Sequence, residues 1–324
     1  MKKILIATLK IVIPIGIGVY LTWFFLSNMT DAELEKLVQA FVDADYTYIF
    51  YATIVMLSSH MSRAYRWKYM LEPLGHKPSF WKMYHSVMIG YLLNLTIPRS
   101  GEVARAGYYS KFQSNAPFNK VFGTIVVERV IDVLMLGIVG LVTVFLQKDL
   151  DAFKEISGDT GQESSGIPVW VYYVAIAFFI IVGLVLYKSK KIREKILNLA
   201  HGVLEGVKTI LKLKQRTAYI AHTLYIWFCY ILMIWICGFA LPESANLSVN
   251  AVFAAFTVGA VAMSTTPGGI GLYPLMVSAA LGTLYGVANA DSYSMLAWAS
   301  LTLFTILAGL VSLFALPFIS KKGT

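Results

Sequence analysis

Two segments decide the fold of this chain: IPRSGEVARAG at residues 97–107 and STTPGGIGLYP at residues 264–274. Each follows an apolar run of about fifteen residues, which as a helix is roughly 22 Å long. The hydrocarbon core of a bilayer is about 30 Å thick, so neither run is long enough to cross it. Broken helices at membrane depth are tolerated only where they are buried in protein or line a watery cavity. Paired breaks in the two halves of a chain therefore indicate a transport site.

The composition around these segments is that of a membrane protein. Of 324 residues, 57% are hydrophobic and 14% are charged, whereas soluble domains carry about 25% charged residues. No polar stretch reaches the roughly 100 residues of a soluble catalytic domain, and no metal-ligand spacing or nucleotide-binding motif is present, so we expect no cofactor. The net charge of +9 indicates topology and contact with anionic lipid heads rather than nucleic acid.

The apolar runs predict an all-α integral membrane protein with six full transmembrane helices in a single domain, 1–324. Lys and Arg concentrate in alternate loops, which predicts that those loops and both termini are cytoplasmic. The predicted spans are residues 4–27, 46–66, 118–147, 168–187, 217–240 and 293–319.

All basic loops lie on the cytoplasmic side only if residues 82–112 enter and leave the membrane on the inner side and residues 250–287 enter and leave it on the outer side. Each region is then a re-entrant helical hairpin, and the two hairpins are opposed. One lies in the first half, 1–147, and the other in the second half, 168–324, as expected of an inverted repeat. Two true spans in place of each hairpin give the same charge pattern and stay open as an alternative.

Two amphipathic segments are predicted at the membrane surface. Residues 30–46 have apolar side chains at helical spacing and a cap at Thr30 or Asp31. Residues 192–213 form a basic amphipathic helix within the cytoplasmic segment 188–216, which is typical of a helix on the inner leaflet. Recruitment of a partner by this basic segment is the alternative interpretation.

The first break carries three charges at a spacing of three residues: Arg99, Glu102 and Arg105. Pro98 ends the preceding helix and suits the first turn of the next one, so the three charges share one face of that second helix. Charges in a membrane are costly unless they are paired or hydrated. Either they line a polar cavity, or the segment is an ordinary charged loop at the cytoplasmic surface.

A second charged group, Glu128, Arg129 and Asp132, lies inside a predicted span. One interpretation is a structural salt bridge between helices. The functional interpretation is that these residues meet Arg99, Glu102 and Arg105 in one cavity of balanced charge, which suits a charged or zwitterionic lipid head.

The second break contains Thr266, Gly268, Gly269 and Gly271. Without side chains, its backbone amides are able to approach a phosphate or a carboxylate. A hairpin tip that binds no ligand is the alternative.

Four blocks in this order resemble the flippase-like membrane domain of the lysylphosphatidylglycerol synthases, a family with many stand-alone members of the UPF0104 type. The blocks are RAYRW at 63–67, PRSGEVAR at 98–105, ERVID at 128–132 and TPGGIG at 266–271. The resemblance implies a protein of the bacterial or archaeal plasma membrane with lipid translocation as its activity. It carries over to Arg99, Glu102, Arg105, Glu128, Arg129, Asp132, Pro267, Gly268, Gly269 and Gly271.

Two departures from the family pattern matter. A Glu commonly follows the glycine-rich block three residues on, where this chain has Pro274, and we expect no aminoacyl-transferring soluble domain like that of the synthases. We therefore expect a lipid transporter and not an enzyme, with membrane lipids as partners and self-association left open. The alternatives are a membrane enzyme that uses Glu102, Glu128 or Asp132 as acid or base on a lipid-linked substrate, and an accessory scaffold.

Overall fold

The computed structural model describes residues 2–75, 78–97, 100–113, 116–146, 202 and 204–321. In these residues the regular structure is helical, without a β-strand, as the apolar runs predict. The residues fall into two compact units: the first is Met1–Val126 with Leu213–Thr324, and the second is Val127–Lys212. The helices are α1 (Lys2–Ser27), α2 (Asp31–Asp43), α3 (Tyr46–Leu71), α4 (Phe80–Asn94), α5 (Ser100–Phe112), α6 (Phe118–Leu146), α7 (Arg216–Gly238), α8 (Val249–Thr265), α9 (Leu272–Ala279) and α10 (Ala290–Lys321).

The long helices coincide with the predicted spans. Among the described residues, α6, α7 and the part Ala290–Ile319 of α10 are long and apolar enough to cross a membrane. Helices α1 and α3 cover the predicted spans 4–27 and 46–66, while the span 168–187 lies outside the described residues. The chain is thus an all-α, multi-pass membrane protein.

The predicted surface helix near the N-terminus is α2. Its axis is bent by 110° from that of α1, and the helix begins with a capping box, in which Thr30 and Glu33 satisfy each other's backbone N–H groups. Of the predicted basic helix, residues 204–211 are helical, and most of the remainder lies outside the described residues. A Cβ built on Gly206 would lie 2.9 Å from a methyl carbon of Val130, so this helix packs closely on α6 within the second unit.

The first break joins two short helices that pack on each other as a hairpin. Helix α4 has 15 residues and α5 has 13. A Cβ built on Gly90 would lie 2.9 Å from the carbonyl oxygen of Gly101, so the two backbones are in direct contact. The turn is held by the backbone N–H of Gly101, which donates to Asn94 Oδ1 at 2.8 Å, and by the Ser100 hydroxyl, which donates to the carbonyl of Leu93 at 3.0 Å.

The second break has the same helix–break–helix form. Helix α8 has 17 residues and is capped by the Ser248 side chain, while α9 has 8 residues and continues into a π-helical turn, Ala280–Leu284. At the break, φ is +58° for Gly268, +74° for Gly269 and +70° for Gly271. These left-handed conformations explain the glycines, because side chains disfavour them.

Candidate functional site

Of the first charged group, the structure describes Glu102 and Arg105, and Arg99 lies outside the described residues. Both described side chains are on α5, one turn apart. Arg105 is 5% exposed, so it is buried in the helix packing and does not belong to an exposed loop. Glu102 is half-buried in the first turn of the same helix.

Arg105 stacks on an aromatic platform built by neighbouring helices. Its guanidinium carbon lies 3.9 Å from the centroid of the Trp67 ring, in cation–π geometry. The Trp67 indole N–H donates to Thr124 Oγ1 at 2.8 Å, and the Tyr109 ring centroid is 4.9 Å from that of Trp67. Residues from α3, α5 and α6 thus fix the position of this guanidinium inside the first unit.

The second charged group forms an ion-paired cluster in the second unit. Arg129 Nη2 lies 2.9 Å from Asp132 Oδ2 and 3.3 Å from Glu128 Oε1. Glu128 is 1% exposed, which is rare for a carboxylate and is usually tied to pairing. The sequence therefore identified three residues that do interact, and a single cavity shared with Glu102 and Arg105 stays a prediction.

The glycines of the second break are buried, and other protein atoms occupy the positions where their Cβ atoms would stand. A Cβ on Gly271 would lie 2.5 Å from both the carbonyl oxygen of Gly18 and the amide nitrogen of Thr22 in α1. A Cβ on Gly269 would lie 2.6 Å from the sulfur of Met263. Close packing therefore accounts for these glycines, and binding of a ligand by their amides stays a prediction. Thr266, at the end of α8, is buried as well.

The tips of the two hairpins contact each other within the first unit. A Cβ built on Gly268 would lie 3.6 Å from the Cα of Leu95, at the end of α4, and its position overlaps the Leu95 side chain. The carbonyl of Gly268 also accepts a hydrogen bond from Trp298 Nε1 of α10 at 2.8 Å. Sequence reasoning predicted each break separately, and their contact is visible only in the structure.

Two further arginines of this region, both in the RAYRW block at 63–67, are buried. Arg63 is 3% exposed and Arg66 is fully buried. Arg63 Nη2 donates to the hydroxyl of Tyr230 at 3.1 Å, Arg66 Nη1 donates to Thr223 Oγ1 at 2.9 Å, and the Arg66 guanidinium lies 5.2 Å from the Tyr219 ring centroid. All three partners are on α7.

A periodicity in the sequence could have identified these arginines. Arg63, Arg66 and Trp67 follow His60 at steps of three and four residues, which places all four along one side of α3. Ala52 and Met56, which are buried, precede His60 on the same side of α3 at steps of four residues. Charged residues that extend an apolar stripe are more consistent with a buried polar face than with a surface anchor.

Among the described residues, no group of three or more His, Cys, Asp or Glu side chains could hold a metal ion. The described side chains of the site are buried arginines, carboxylates, hydroxyls and aromatic rings.

Comparison with known proteins agrees with this membrane architecture. The family model described as the lysylphosphatidylglycerol synthase TM region matches residues 11–309. A UPF0104 membrane protein of Pyrococcus horikoshii is 24% identical over 325 residues, which is 91% of each chain. A UPF0104 membrane protein of Methanocaldococcus jannaschii is 30% identical over 112 residues, about a third of either chain (34% and 33%).

A third relative is the glycosyltransferase AglD of Haloferax volcanii, which is 30% identical over 137 residues. The match covers 41% of this chain and 22% of AglD. No solved structure matches the chain.

Proposed function

This chain belongs to the family of the lysylphosphatidylglycerol synthase TM region, and from that premise we propose that it moves a polar-headed lipid between the two leaflets. The observation that carries the proposal is the contact between the two hairpin tips at Leu95 and Gly268. Two broken helices that meet inside a membrane protein create a place where a polar head is able to pass half the membrane at a time.

The proposed architecture is six spans and two opposed re-entrant hairpins, related as an inverted repeat. The lengths of the hairpin helices support it: 15 and 13 residues in the first, 17 and 8 in the second. A helix needs about 20 residues to cross the hydrocarbon core. In this arrangement both termini are cytoplasmic, and the membrane is the plasma membrane.

The buried charges supply the chemistry of passage. Moving a charged head through hydrocarbon is costly because its charges lose water. Arg105 and Glu128, each in its own unit, are already desolvated inside the protein, so a head that exchanges contacts with such groups avoids an uncompensated charge. The cargo class is a phospholipid or a polyprenyl-linked lipid, and the protein alters no covalent bond.

The partial match to AglD favours a second candidate function. A glycosyltransferase that shares part of its sequence with this chain is consistent with an accessory role beside an enzyme that acts on lipid-linked substrates. Under that role the purified chain moves no lipid by itself, and activity appears only with a partner enzyme.

The proposal is tested in liposomes that contain the purified protein and a trace of head-labelled fluorescent phospholipid. An impermeant reductant quenches the outer leaflet, which is about half of the label in symmetric vesicles. With the parent protein we expect quenching to continue beyond that half. Glu128→Gln removes a buried charge and should therefore slow this second phase about tenfold. That change in rate corresponds to about 1.4 kcal/mol on the barrier.

The matched control is Glu205→Gln, because the Glu205 side chain is 72% exposed and forms a local ion pair with Lys208 at 3.0 Å. This control should move lipid like the parent. Quenching that stops at half for a folded parent protein contradicts the proposal, and a change in the mass of the lipid favours a membrane enzyme instead.

A further inference from the structure

A cluster of aromatic and basic side chains surrounds Tyr230, at the junction of α3, α4 and α7. Its members, called here the Tyr230 cluster, are His60, Arg63, Tyr91, Trp227 and Tyr230. Arg63 Nη2 donates to the Tyr230 hydroxyl at 3.1 Å, and the hydroxyls of Tyr91 and Tyr230 are 3.4 Å apart. The cluster lies on different helices from Arg105, and its one charged member, Arg63, belongs to the RAYRW block at 63–67.

The remaining two members complete the cluster through ring contacts. The His60 ring centroid is 4.5 Å from that of Tyr91, and the Trp227 ring is 6.2 Å from that of Tyr230 in edge-to-face geometry. Phe256 of α8 also packs on Trp227, with 5.7 Å between the two ring centroids. Rings from α3, α4, α7 and α8 thus pack next to one another around Tyr230, whose hydroxyl binds Arg63.

Two buried nitrogens of the cluster have no hydrogen-bond partner among the described residues: His60 Nδ1 and Trp227 Nε1. His60 is 5% exposed and Trp227 is 7% exposed. Buried polar groups in native proteins are nearly always hydrogen-bonded, since leaving one unpaired forfeits its hydration. Two such groups in one cluster indicate a bound partner that supplies acceptor atoms.

The chemistry of the cluster selects the partner. The indole N–H of Trp227 is only a donor, the guanidinium of Arg63 is only a donor, and the phenols and the imidazole are also able to donate. A guanidinium binds planar pairs of anionic oxygens well. A phosphate group offers three acceptor oxygens, so several donors are able to share it, whereas a carbonyl group offers one oxygen.

We propose that the Tyr230 cluster binds a phosphate group, with Arg63, Trp227 and His60 as its donors. The inference rests on the proposed function in that the phosphate belongs to the head of a lipid in transit. Free phosphate has the same chemistry, and the experiment separates the two sources.

The test measures binding to the purified full chain in detergent. Dihexanoyl phosphatidic acid is the probe, and dihexanoylglycerol, with the same acyl chains and no phosphate, is the control ligand. We expect the first to raise the melting temperature and the second to leave it unchanged. Trp227→Phe removes the N–H and keeps an aromatic ring, and it should raise the Kd for phosphatidic acid about tenfold or more.

Trp235→Phe is the matched control variant, because Trp235 lies on the same helix and is 38% exposed. It should bind phosphatidic acid like the parent. Trp227→Phe should fold, since it removes a buried donor without a partner. If its fold is nevertheless lost, His60→Phe makes the same comparison from α3. Competition by inorganic phosphate identifies free phosphate as a ligand, and its failure to compete identifies the lipid head.

Equal binding of the two diacyl ligands overturns the inference, and so does unchanged binding by both Trp227→Phe and His60→Phe. These results are independent of transport. A parent protein that binds phosphatidic acid but moves no lipid in vesicles leaves the phosphate site standing and removes the proposed function. If the parent protein moves lipid but Trp227→Phe and His60→Phe bind phosphatidic acid as the parent does, the proposed function stands and the phosphate site is removed.

Discussion

Single glycines make the closest helix contacts at the second break. Gly271 has φ +70°, and the space where its Cβ would stand is taken by backbone atoms of Gly18 and Thr22. Backbone atoms cannot rotate away as a flexible side chain does, so a methyl group there has to move α1 or the break itself. The glycine is required by conformation and by packing at once.

Gly271→Ala should therefore destabilise the protein markedly. The left-handed conformation costs a side chain about 1–2 kcal/mol, and overpacking adds about 1–3 kcal/mol. We expect the melting temperature in detergent to fall by several degrees. Gly16→Ala is the control, because nothing lies within 4 Å of its Cβ position on α1 and alanine favours a helix. Equal melting temperatures for the two variants would show that α1 does not pack on the break as described.

At the level of whole elements, α2 illustrates how local sequence fixes a helix start. Its apolar side chains Leu34, Val38 and Val42 are exposed in the protein, which suits a helix that lies on the membrane surface. The Glu33 carboxylate accepts from the backbone N–H and the hydroxyl of Thr30, each at 2.8 Å. These hydrogen bonds lower the pKa of Glu33.

The cap should make α2 sensitive to acid. Because the pKa of Glu33 is lower in the folded state, its stabilisation is complete above the unfolded value, about 4.3, and is lost as the pH falls through the folded value. Hydrogen exchange at the first amides of α2 should therefore gain protection between acidic and neutral pH. Thr30→Ala should reduce that protection, while Ser27→Ala, whose hydroxyl donates to Phe24 in α1, should not. A pH-independent protection pattern in the parent would contradict this role of Glu33.

On the scale of the whole molecule, the two hairpins distinguish two membrane topologies. If the hairpins are re-entrant, the first tip is reached from the cytoplasm and the second from outside. If each hairpin is two full spans, the sides are reversed. Gly101 and Gly269 at the tips are buried, whereas Thr96 and Thr265 are exposed, so the threonines are the better positions for labelling.

Thr96→Cys and Thr265→Cys should be labelled from opposite sides of the membrane. The background replaces Cys229 and Cys237, the cysteines of the chain, and the reagent is an impermeant maleimide applied to oriented vesicles. We expect Thr96→Cys to react from the cytoplasmic side and Thr265→Cys from the outside. Reversed sides would replace the hairpins by paired spans, and reaction of both from one side would remove the inverted repeat.

The sequence by itself determined the helices, the breaks and their short lengths. Apolar run length, proline and glycine act on the local backbone, so the hairpin segments and the Thr30 cap could be predicted without any partner. The ion pairs of Arg129 with Glu128 and Asp132 lie within α6, whereas the sequence pattern predicts either a salt bridge between helices or a cavity shared with Arg99, Glu102 and Arg105.

Only the tertiary structure decided what those segments touch. The contact of Leu95 with Gly268, the packing of Gly271 on α1 and the hydrogen bond from Arg63 to Tyr230 join residues that are far apart in the chain. Such contacts depend on how helices pack, which local periodicity does not specify. For the arginines of α3, the periodicity indicates burial, but it does not specify that α7 is the helix that covers them.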